Sequence, residues 1–190
     1  MEKIRTFVAV QLPQEIHRRL AKIARTLGES RADVKWVSEE NFHITMKFLG
    51  PVEQDRMDDV LKAVESSSSG LSPFDLRLVG LGAFPRIANP SVIWAGVSEG
   101  TQELQTLAGR LEDSLERAGF PRESRKFSAH VTLGRTRSTR GAEQLGASIE
   151  RLRNEEIGHF TVRRIAVMRS DLRPSGPIYT PIADFEMEGS

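Results

Sequence analysis

The sequence has 190 residues, 38% of them hydrophobic and 28% charged, which is the balance of a globular domain with an apolar core. It has no cysteine, which excludes disulfides, thiolate nucleophiles and cysteine-ligated metal sites, and no apolar run approaches the length of a membrane span. The formal net charge of +1 argues against a protein that coats nucleic acid along its length.

The first half of the chain alternates strand and helix patterns. Apolar residues recur at helical spacing in 16–27 and 53–65, so both stretches are predicted helices. Strands are predicted at 7–10, 34–37 and 41–48. The serine-rich stretch 66–70 is predicted to be a linker, too short to separate independent domains.

The second half continues the mixture. Strands are predicted at 74–79, 92–97, 129–133, 160–168 and 178–185, helices at 104–115 and 145–152, and loops at 82–90 and 121–126. Several strand pairs have connections too short for a crossover helix, which favours antiparallel pairing. We therefore predict an α+β fold with mainly antiparallel sheets, in which residues 1–190 form a single domain.

One tetrapeptide pattern occurs twice. His43-Ile44-Thr45-Met46 and His130-Val131-Thr132-Leu133 both fit His-[Ile/Val]-Thr-[Met/Leu], and each lies in a predicted strand. Because side chains two apart on a strand share a face, His and Thr should project together while the apolar residues enter a core. Two such strands side by side would present two imidazoles and two hydroxyls to one cleft.

This set of groups suits phosphodiester cleavage without a metal. Two histidines can accept and donate protons near neutral pH, and two threonine hydroxyls can bind phosphoryl oxygens. Arg135 adds a cation suited to a phosphate or a base. The alternatives are two ordinary strand histidines, or a metal site, for which the sequence places no further ligands. For His17 and His159 we expect surface or structural roles.

Positive charge is concentrated around the second motif. The stretch 117–173 holds 13 Lys/Arg and 6 Asp/Glu, a net of +7, while the rest of the chain nets −6. Five of these cations flank the motif closely, and at the rim of a cleft they would attract a polyanion. The alternative is that they are solvated surface residues. They are Arg122, Arg125, Lys126, Arg137 and Arg140.

At these residues the sequence resembles the RNA 2′,3′-cyclic phosphodiesterase family of the two-histidine (2H) phosphoesterase superfamily. The resemblance covers most of the chain, although Ala129 stands where members commonly carry proline. The blocks that carry it are 5–10, 36–50, 82–85, 90–94, 127–135 and 176–179.

The resemblance implies two pseudo-symmetric lobes around a central cleft, with helices outside. It implies hydrolysis of a terminal 2′,3′-cyclic phosphate of RNA to a 2′-phosphomonoester, with no metal or other cofactor. His43 would be the general acid and His130 the general base, while Thr45 and Thr132 would bind phosphoryl oxygens. Phe48 and Arg135 would sandwich the terminal base, although Phe48 also fits a core position and Arg135 a solvated one.

The expected partners are RNA 3′ ends bearing a 2′,3′-cyclic phosphate, with tRNA fragments among the candidates. We expect a cytoplasmic protein with no membrane contact, because the N-terminal residues lack a signal-peptide pattern and no apolar run approaches a membrane span. We also expect a monomer with no obligate protein partner, because nothing in the sequence demands more. Two alternative functions remain open. One is 2′–5′ ligation of a cyclic-phosphate end to a 5′-hydroxyl end, and the other is a non-catalytic module that binds RNA ends.

Overall fold

The structure is a computed structural model that describes residues 2–189 of the chain. Within these residues it contains four α-helices and nine strands. The strands are β1 (Lys3–Gln11), β2 (Val34–Trp36), β3 (His43–Glu53), β4 (Phe74–Arg86), β5 (Asn89–Glu99), β6 (His130–Thr136), β7 (Glu156–Val162), β8 (Arg164–Arg173) and β9 (Gly176–Glu186). The helices are α1 (Gln14–Gly28), α2 (Met57–Ser68), α3 (Thr101–Arg117) and α4 (Ala142–Arg151).

All strand pairings among these residues are antiparallel, which confirms the predicted α+β class. The sheet order is β7-β4-β5-β6-β3-β1-β8-β9, and the short β2 adds to β6. β3 and β6 therefore lie at the centre of the sheet, each with its own outer strands. The two motif strands are neighbours, which brings the two His-x-Thr motifs together.

The two halves of the fold repeat each other along the chain. α1 begins at Gln14 and α3 at Thr101, 87 residues later, which is also the separation of His43 and His130. The halves meet where Ile44 of β3 pairs with Val131 of β6. A local twofold axis near this pair relates the two motifs, so the expectation of two pseudo-symmetric halves is confirmed.

The main hydrophobic core lies between the sheet and the helices. The apolar residues predicted for the inner faces of α1 and α3 are buried there, together with Ile44, Met46, Val131 and Leu133 of the motifs. A smaller cluster of Phe7, Ala9, Ala166 and Met168, with Tyr179 beside it, forms a second apolar group on β1, β8 and β9. None of the helices within residues 2–189 is long and apolar enough to cross a membrane.

Three predicted segments differ from the structure, and their predictions are wrong. The predicted loop 82–90 is mostly strand, because β4 runs to Arg86 and β5 starts at Asn89 in one long hairpin. The predicted linker 66–70 is largely helix, since the buried hydroxyls of Ser67 and Ser68 bond to backbone carbonyls of α2. The predicted strand 160–168 is two strands, β7 and β8, that lie on opposite sides of the sheet centre.

Matching β-bulges interrupt the two motif strands. Along β3, Thr45 pairs with Ala9 and Lys47 with Val8, which leaves Met46 as an extra residue. Along β6, Thr132 and Gly134 are paired and Leu133 is the extra residue. A bulge shifts the alternation of side chains by one position. The residue three positions after each threonine therefore returns to the face that carries the histidine.

The bulge in β3 also turns Lys47 toward α3. Its side chain is 2% exposed, and Nζ donates to both carboxylate oxygens of Glu112 at 2.8 Å and to the Pro121 carbonyl at 2.9 Å. Glu112 in turn accepts a hydrogen bond from the backbone N–H of Glu123. One buried ion pair thus ties the central strand to α3 and to the loop that precedes the second motif.

Replacing Lys47 by alanine should lower the free energy of unfolding by about 3 kcal/mol, because it leaves Glu112 and the Pro121 carbonyl without their buried donor. The measurement is urea unfolding followed by circular dichroism. The matched control is the double variant Lys47→Met with Glu112→Gln, which removes both charges and should lose much less. Equal losses in the single and double variants would contradict the assigned role of the ion pair.

Candidate active site

Both motif histidines are oriented by the same kind of hydrogen bond, from Nδ1 to a backbone carbonyl. Nδ1 of His43 lies 2.7 Å from the carbonyl oxygen of Asn41, and Nδ1 of His130 lies 2.7 Å from that of Ser128. A carbonyl oxygen can only accept, so each Nδ1 carries hydrogen. In the neutral imidazole Nε2 is then the unprotonated nitrogen. The backbone two residues before each histidine therefore sets its tautomer.

Aromatic rings fix the ring planes of the two histidines. His43 packs at 4.9 Å from Phe7 and edge-on at 5.3 Å from Tyr179, measured between ring centroids. His130 packs edge-on at 5.2 Å from Phe84. These rings restrict rotation and remove water from one side of each imidazole. His43 is the more enclosed of the two, because rings from β1 and β9 both contact it.

The hydroxyls of the two threonines differ in their hydrogen bonds. The Thr45 hydroxyl lies 2.9 Å from Nε2 of His43 and, with that nitrogen unprotonated, donates to it. The Thr132 hydroxyl and Nε2 of His130 have no hydrogen-bond partner within residues 2–189. On the sheet, the pairing of Ile44 with Val131 places His43 next to Thr132 and Thr45 next to His130.

A cavity of about 610 Å³ opens beside these groups. Its wall includes Thr45, His130 and Thr132, and it continues past them to Phe48 and Arg135. A cavity of this size is in the range that holds a small ligand. His43 is not part of the cavity wall, but its Nε2 lies 2.9 Å from the hydroxyl of Thr45, which is part of it.

Phe48 and Arg135 occupy equivalent places in the two halves, each three residues after its threonine. The bulges bring both side chains to the histidine face. Phe48 is 49% exposed, stacks on Phe7 at 5.6 Å and carries the Arg5 guanidinium at 5.4 Å from its ring centroid. If side chains alternated strictly along β3, Phe48 would follow Ile44 and Met46 into the core. Its exposure shows that it does not.

Burial weakens the basicity of both histidines. It lowers the pKa of His43 below the ordinary 6.5, and the charges of His17 and His130 lower it further, against the hydrogen bond to Asn41 that raises it. Burial also lowers the pKa of His130, with the charge of Arg135 acting in the same direction and the Ser128 carbonyl opposing it. At neutral pH both imidazoles are mainly uncharged, with Nε2 able to accept a proton.

Sequence reasoning missed the residues that support His43. Asn41 is buried, its carbonyl holds Nδ1 of His43, and its side-chain amide donates to the Pro177 carbonyl at 2.8 Å. It thereby ties the first motif to the β8–β9 hairpin that carries Tyr179. A signal was present, since Asn41 and Ser128 both lie two residues before a motif histidine. Tyr179 lies in the block 176–179 that carries the resemblance, but only the sheet order shows that β9 brings its ring to His43.

The cations near the second motif divide into three groups. Arg125 and Lys126 line the cavity, as does Arg122, but Arg122 is held by Asp113 and Glu116 on α3 at 2.8 and 2.7 Å. The remaining two, Arg137 and Arg140, lie on exposed positions that do not line the cavity.

The other two histidines lie away from the cavity. His17 on α1 hydrogen-bonds through Nδ1 to the carbonyl of Glu39, and His159 is exposed on β7. Within residues 2–189, no group of three or more His, Asp or Glu side chains is arranged to hold a metal ion.

Comparison with known proteins identifies the class to which this fold belongs, that of the LigT-like phosphoesterases. A family model described as LigT like Phosphoesterase matches residues 10–94 and again residues 96–179, one match for each half of the pseudo-symmetric fold. The chain belongs to this family.

Curated relatives align over nearly the whole chain. A protein of Methanothermobacter thermautotrophicus is 34% identical over 185 residues, which cover 97% of this chain and all of the relative. A protein of Aquifex aeolicus is 32% identical over 190 residues, which cover all of both chains. Both relatives are named RNA 2′,3′-cyclic phosphodiesterase.

Solved structures share the fold. A crystal structure of a Thermus thermophilus protein superposes with a TM-score of 0.81 at 28% identity, covering 98% of this chain and 99% of that one. Escherichia coli LigT, crystallised with 3′-AMP, superposes with a TM-score of 0.77 at 22% identity and the same coverage. The similarity to the E. coli protein establishes the fold only.

The lowered histidine pKa values predict a pH-dependent stability. In the unfolded chain the two histidines take up protons near pH 6.5, whereas in the folded chain they do so only at lower pH. Their neutral state therefore contributes fully to the free energy of unfolding above pH 6.5, and this contribution is lost as the pH falls through the lowered pKa values. We expect the loss of unfolding free energy between about pH 7.5 and about pH 5.5 to be smaller in His43→Asn than in the wild type.

Urea unfolding at the two pH values measures this effect. His159→Asn, which changes an exposed histidine on β7, is the matched control. An identical loss in the wild type and in His43→Asn would contradict the buried, neutral state of His43.

Proposed function

We propose that the protein is an RNA 2′,3′-cyclic phosphodiesterase that opens the terminal cyclic phosphate to a 2′-phosphomonoester. The observation that carries this proposal is the pair of His-x-Thr motifs on adjacent strands, both imidazoles having the Nδ1-protonated tautomer. The names of the full-length relatives support the same reaction. The proposed substrates are RNA 3′ ends with a cyclic phosphate, tRNA fragments among them, and the proposed location is the cytoplasm.

In the proposed reaction, Nε2 of His130 takes a proton from a water molecule whose oxygen attacks the phosphorus. The bond between phosphorus and the 3′ oxygen breaks, and His43 donates its Nε2 proton to that oxygen. The products are a 2′-phosphomonoester and a 3′-hydroxyl. One proton has moved from His43 to His130, and exchange with solvent restores the starting state.

The starting protonation states follow from the surroundings of each ring. His130 begins neutral, which its lowered pKa favours. His43 begins protonated, and the anionic cyclic phosphate beside it raises its pKa when substrate binds. A protonated His43 donates through Nε2, so the Thr45 hydroxyl changes from donor to acceptor at that nitrogen or turns to the substrate.

The remaining residues bind the substrate in this proposal. The Thr45 and Thr132 hydroxyls donate to the two non-bridging phosphoryl oxygens, where negative charge increases in the transition state. The Phe48 ring and the Arg135 guanidinium hold the terminal base between them. Their support is the pair of bulges that gives them equivalent positions on the wall of one cavity.

Replacing either His43 or His130 by alanine should lower kcat on a cyclic-phosphate oligoribonucleotide by about 100-fold to 10,000-fold, because each removes one proton transfer. The assay contains EDTA and separates 2′-phosphate, 3′-phosphate and joined products by chromatography. His159→Ala is the matched control.

Four outcomes would overturn parts of the proposal. Full activity in either motif variant would remove the catalytic role of that histidine. Loss of wild-type activity in EDTA would indicate a metal-dependent reaction. A joined RNA product from cleaved halves would indicate ligation, and tight binding without turnover would indicate a module that only recognises RNA ends.

The pH profile of kcat/KM should be bell-shaped with its maximum below pH 6.5. The reaction needs one neutral and one protonated histidine, and the pKa values of both are lowered from 6.5 in the free protein. Initial rates at low substrate concentration between about pH 4.5 and 8.5 measure the profile. A maximum above pH 6.5 would contradict the assignment of both titrations to these rings.

A further inference from the structure

The cavity beside His130 extends beyond the groups that the proposed reaction uses. It continues along one side of α3, which contributes Gln105, Ala108, Gly109 and Glu112, and along the loop that precedes the second motif. The α3 stretch spans roughly 10 Å at a rise of 1.5 Å per residue. This is longer than the step of about 3.4 Å between stacked nucleotides. The cavity therefore has room beyond a single terminal nucleotide.

The α3 wall of this extension carries only small residues at its middle. Ala108 is buried, and Gly109 is an exposed glycine inside the helix, a position where glycine is disfavoured relative to alanine. A Cβ atom built on Gly109 meets no atom within 4 Å. The glycine thus leaves an open surface in the cavity wall, and Phe127 of the loop lines the same cavity.

Two of the charged groups near this surface are already held in ion pairs within the protein. The Glu112 carboxylate is paired with the buried Lys47, and the Arg122 guanidinium is paired with Asp113 and Glu116. Neither is free to attract or repel a ligand strongly.

Arg125 and Lys126 differ from Glu112 and Arg122 in having no ion pair in the part of the chain that the structure describes. Both side chains are exposed and have no ion-pair partner within residues 2–189, and both line the cavity. The nearby Glu123 carboxylate accepts the backbone N–H of Arg125 at 3.4 Å and subtracts one charge.

Among the described residues that line this end of the cavity, the charged side chains without an ion pair are Arg125, Lys126 and Glu123, a net of +1, because Asp113 and Glu116 do not line it. A positive lining is complementary to a phosphodiester.

We propose that the α3 end of the cavity is a subsite for the nucleotide on the 5′ side of the cyclic end. Arg125 and Lys126 contact its phosphodiester, and its base lies on the surface of Ala108 and Gly109 beside Phe127. The inference rests on the proposed function and deepens it: the substrate class is an oligoribonucleotide end, preferred over a cyclic mononucleotide.

The test compares kcat/KM for a short oligoribonucleotide 2′,3′-cyclic phosphate with kcat/KM for a 2′,3′-cyclic mononucleotide. Arg125→Gln with Lys126→Gln should lower the ratio of the two values roughly tenfold and reduce the salt dependence of the oligonucleotide reaction. Gly109→Leu should also lower the ratio, because its side chain fills the surface. Gly109→Ala is the control for Gly109→Leu, since there is space for one methyl group.

Arg137→Gln with Arg140→Gln is the charge-matched control, since these arginines flank the same motif but do not line the cavity. An unchanged ratio in the Arg125/Lys126 variant, or an equal fall in both double variants, would overturn the subsite.

If the wild type hydrolyses neither substrate, the proposed function fails while the subsite is still decided by binding. Fluorescence anisotropy with an oligoribonucleotide bearing a terminal 2′-phosphate would then compare the same variants. Weaker binding in the Arg125/Lys126 variant alone would support the subsite, and equal binding in all variants would overturn it.

Discussion

The backbone pairing of β3 with β6 at Ile44 and Val131 is the constraint on which the site depends. Both side chains are fully buried on the helix side of the sheet, and side chains on a strand alternate between faces. The neighbours of this pair, two histidines and two threonines, must then project from the opposite face. A register slip of one residue would place imidazoles in the core and apolar side chains in the cleft, so the hydrophobic core fixes the position of the polar site.

The matched bulges extend this constraint to the next residues. Without them, Phe48 and Arg135 would share the face of Ile44 and Val131. With them, Met46 and Leu133 are both accommodated in the core, and the third residue after each threonine reaches the cavity. In β3 the displaced position holds Lys47, whose ion pair with Glu112 stabilises α3 against the sheet. In β6 it holds Gly134, where a Cβ atom would lie 2.7 Å from Val34 of the added strand β2. The same kind of bulge thus brings a side chain to the cavity in both strands, while its extra position packs a buried lysine in β3 and a glycine in β6.

The protonation states of the two histidines follow from their burial in the sheet. Burial favours neutral imidazoles, and backbone carbonyls from Asn41 and Ser128 leave Nε2 as the titrating nitrogen. The two rings are not equivalent, because Phe7 and Tyr179 enclose His43 while His130 lines the open cavity. Outer strands from different parts of the chain therefore give the two imidazoles different surroundings. Because of this difference, two motifs related by a twofold axis can supply one acid and one base.

The sequence by itself determined the class of fold, the two motifs and the inner faces of the helices, because periodicity and turn residues are local properties. It also singled out Arg135, from its place five residues after His130, and Phe48 by resemblance alone, since strict alternation would have buried Phe48. The tertiary structure alone decided which cations line the cavity, that Asn41 and Tyr179 support His43, and that Lys47 is buried. These features depend on sheet order, bulges and contacts between residues up to 136 positions apart, as in the bond from Asn41 to Pro177. No local pattern encodes such contacts, because each is fixed by how the two halves of the sheet pack around one core.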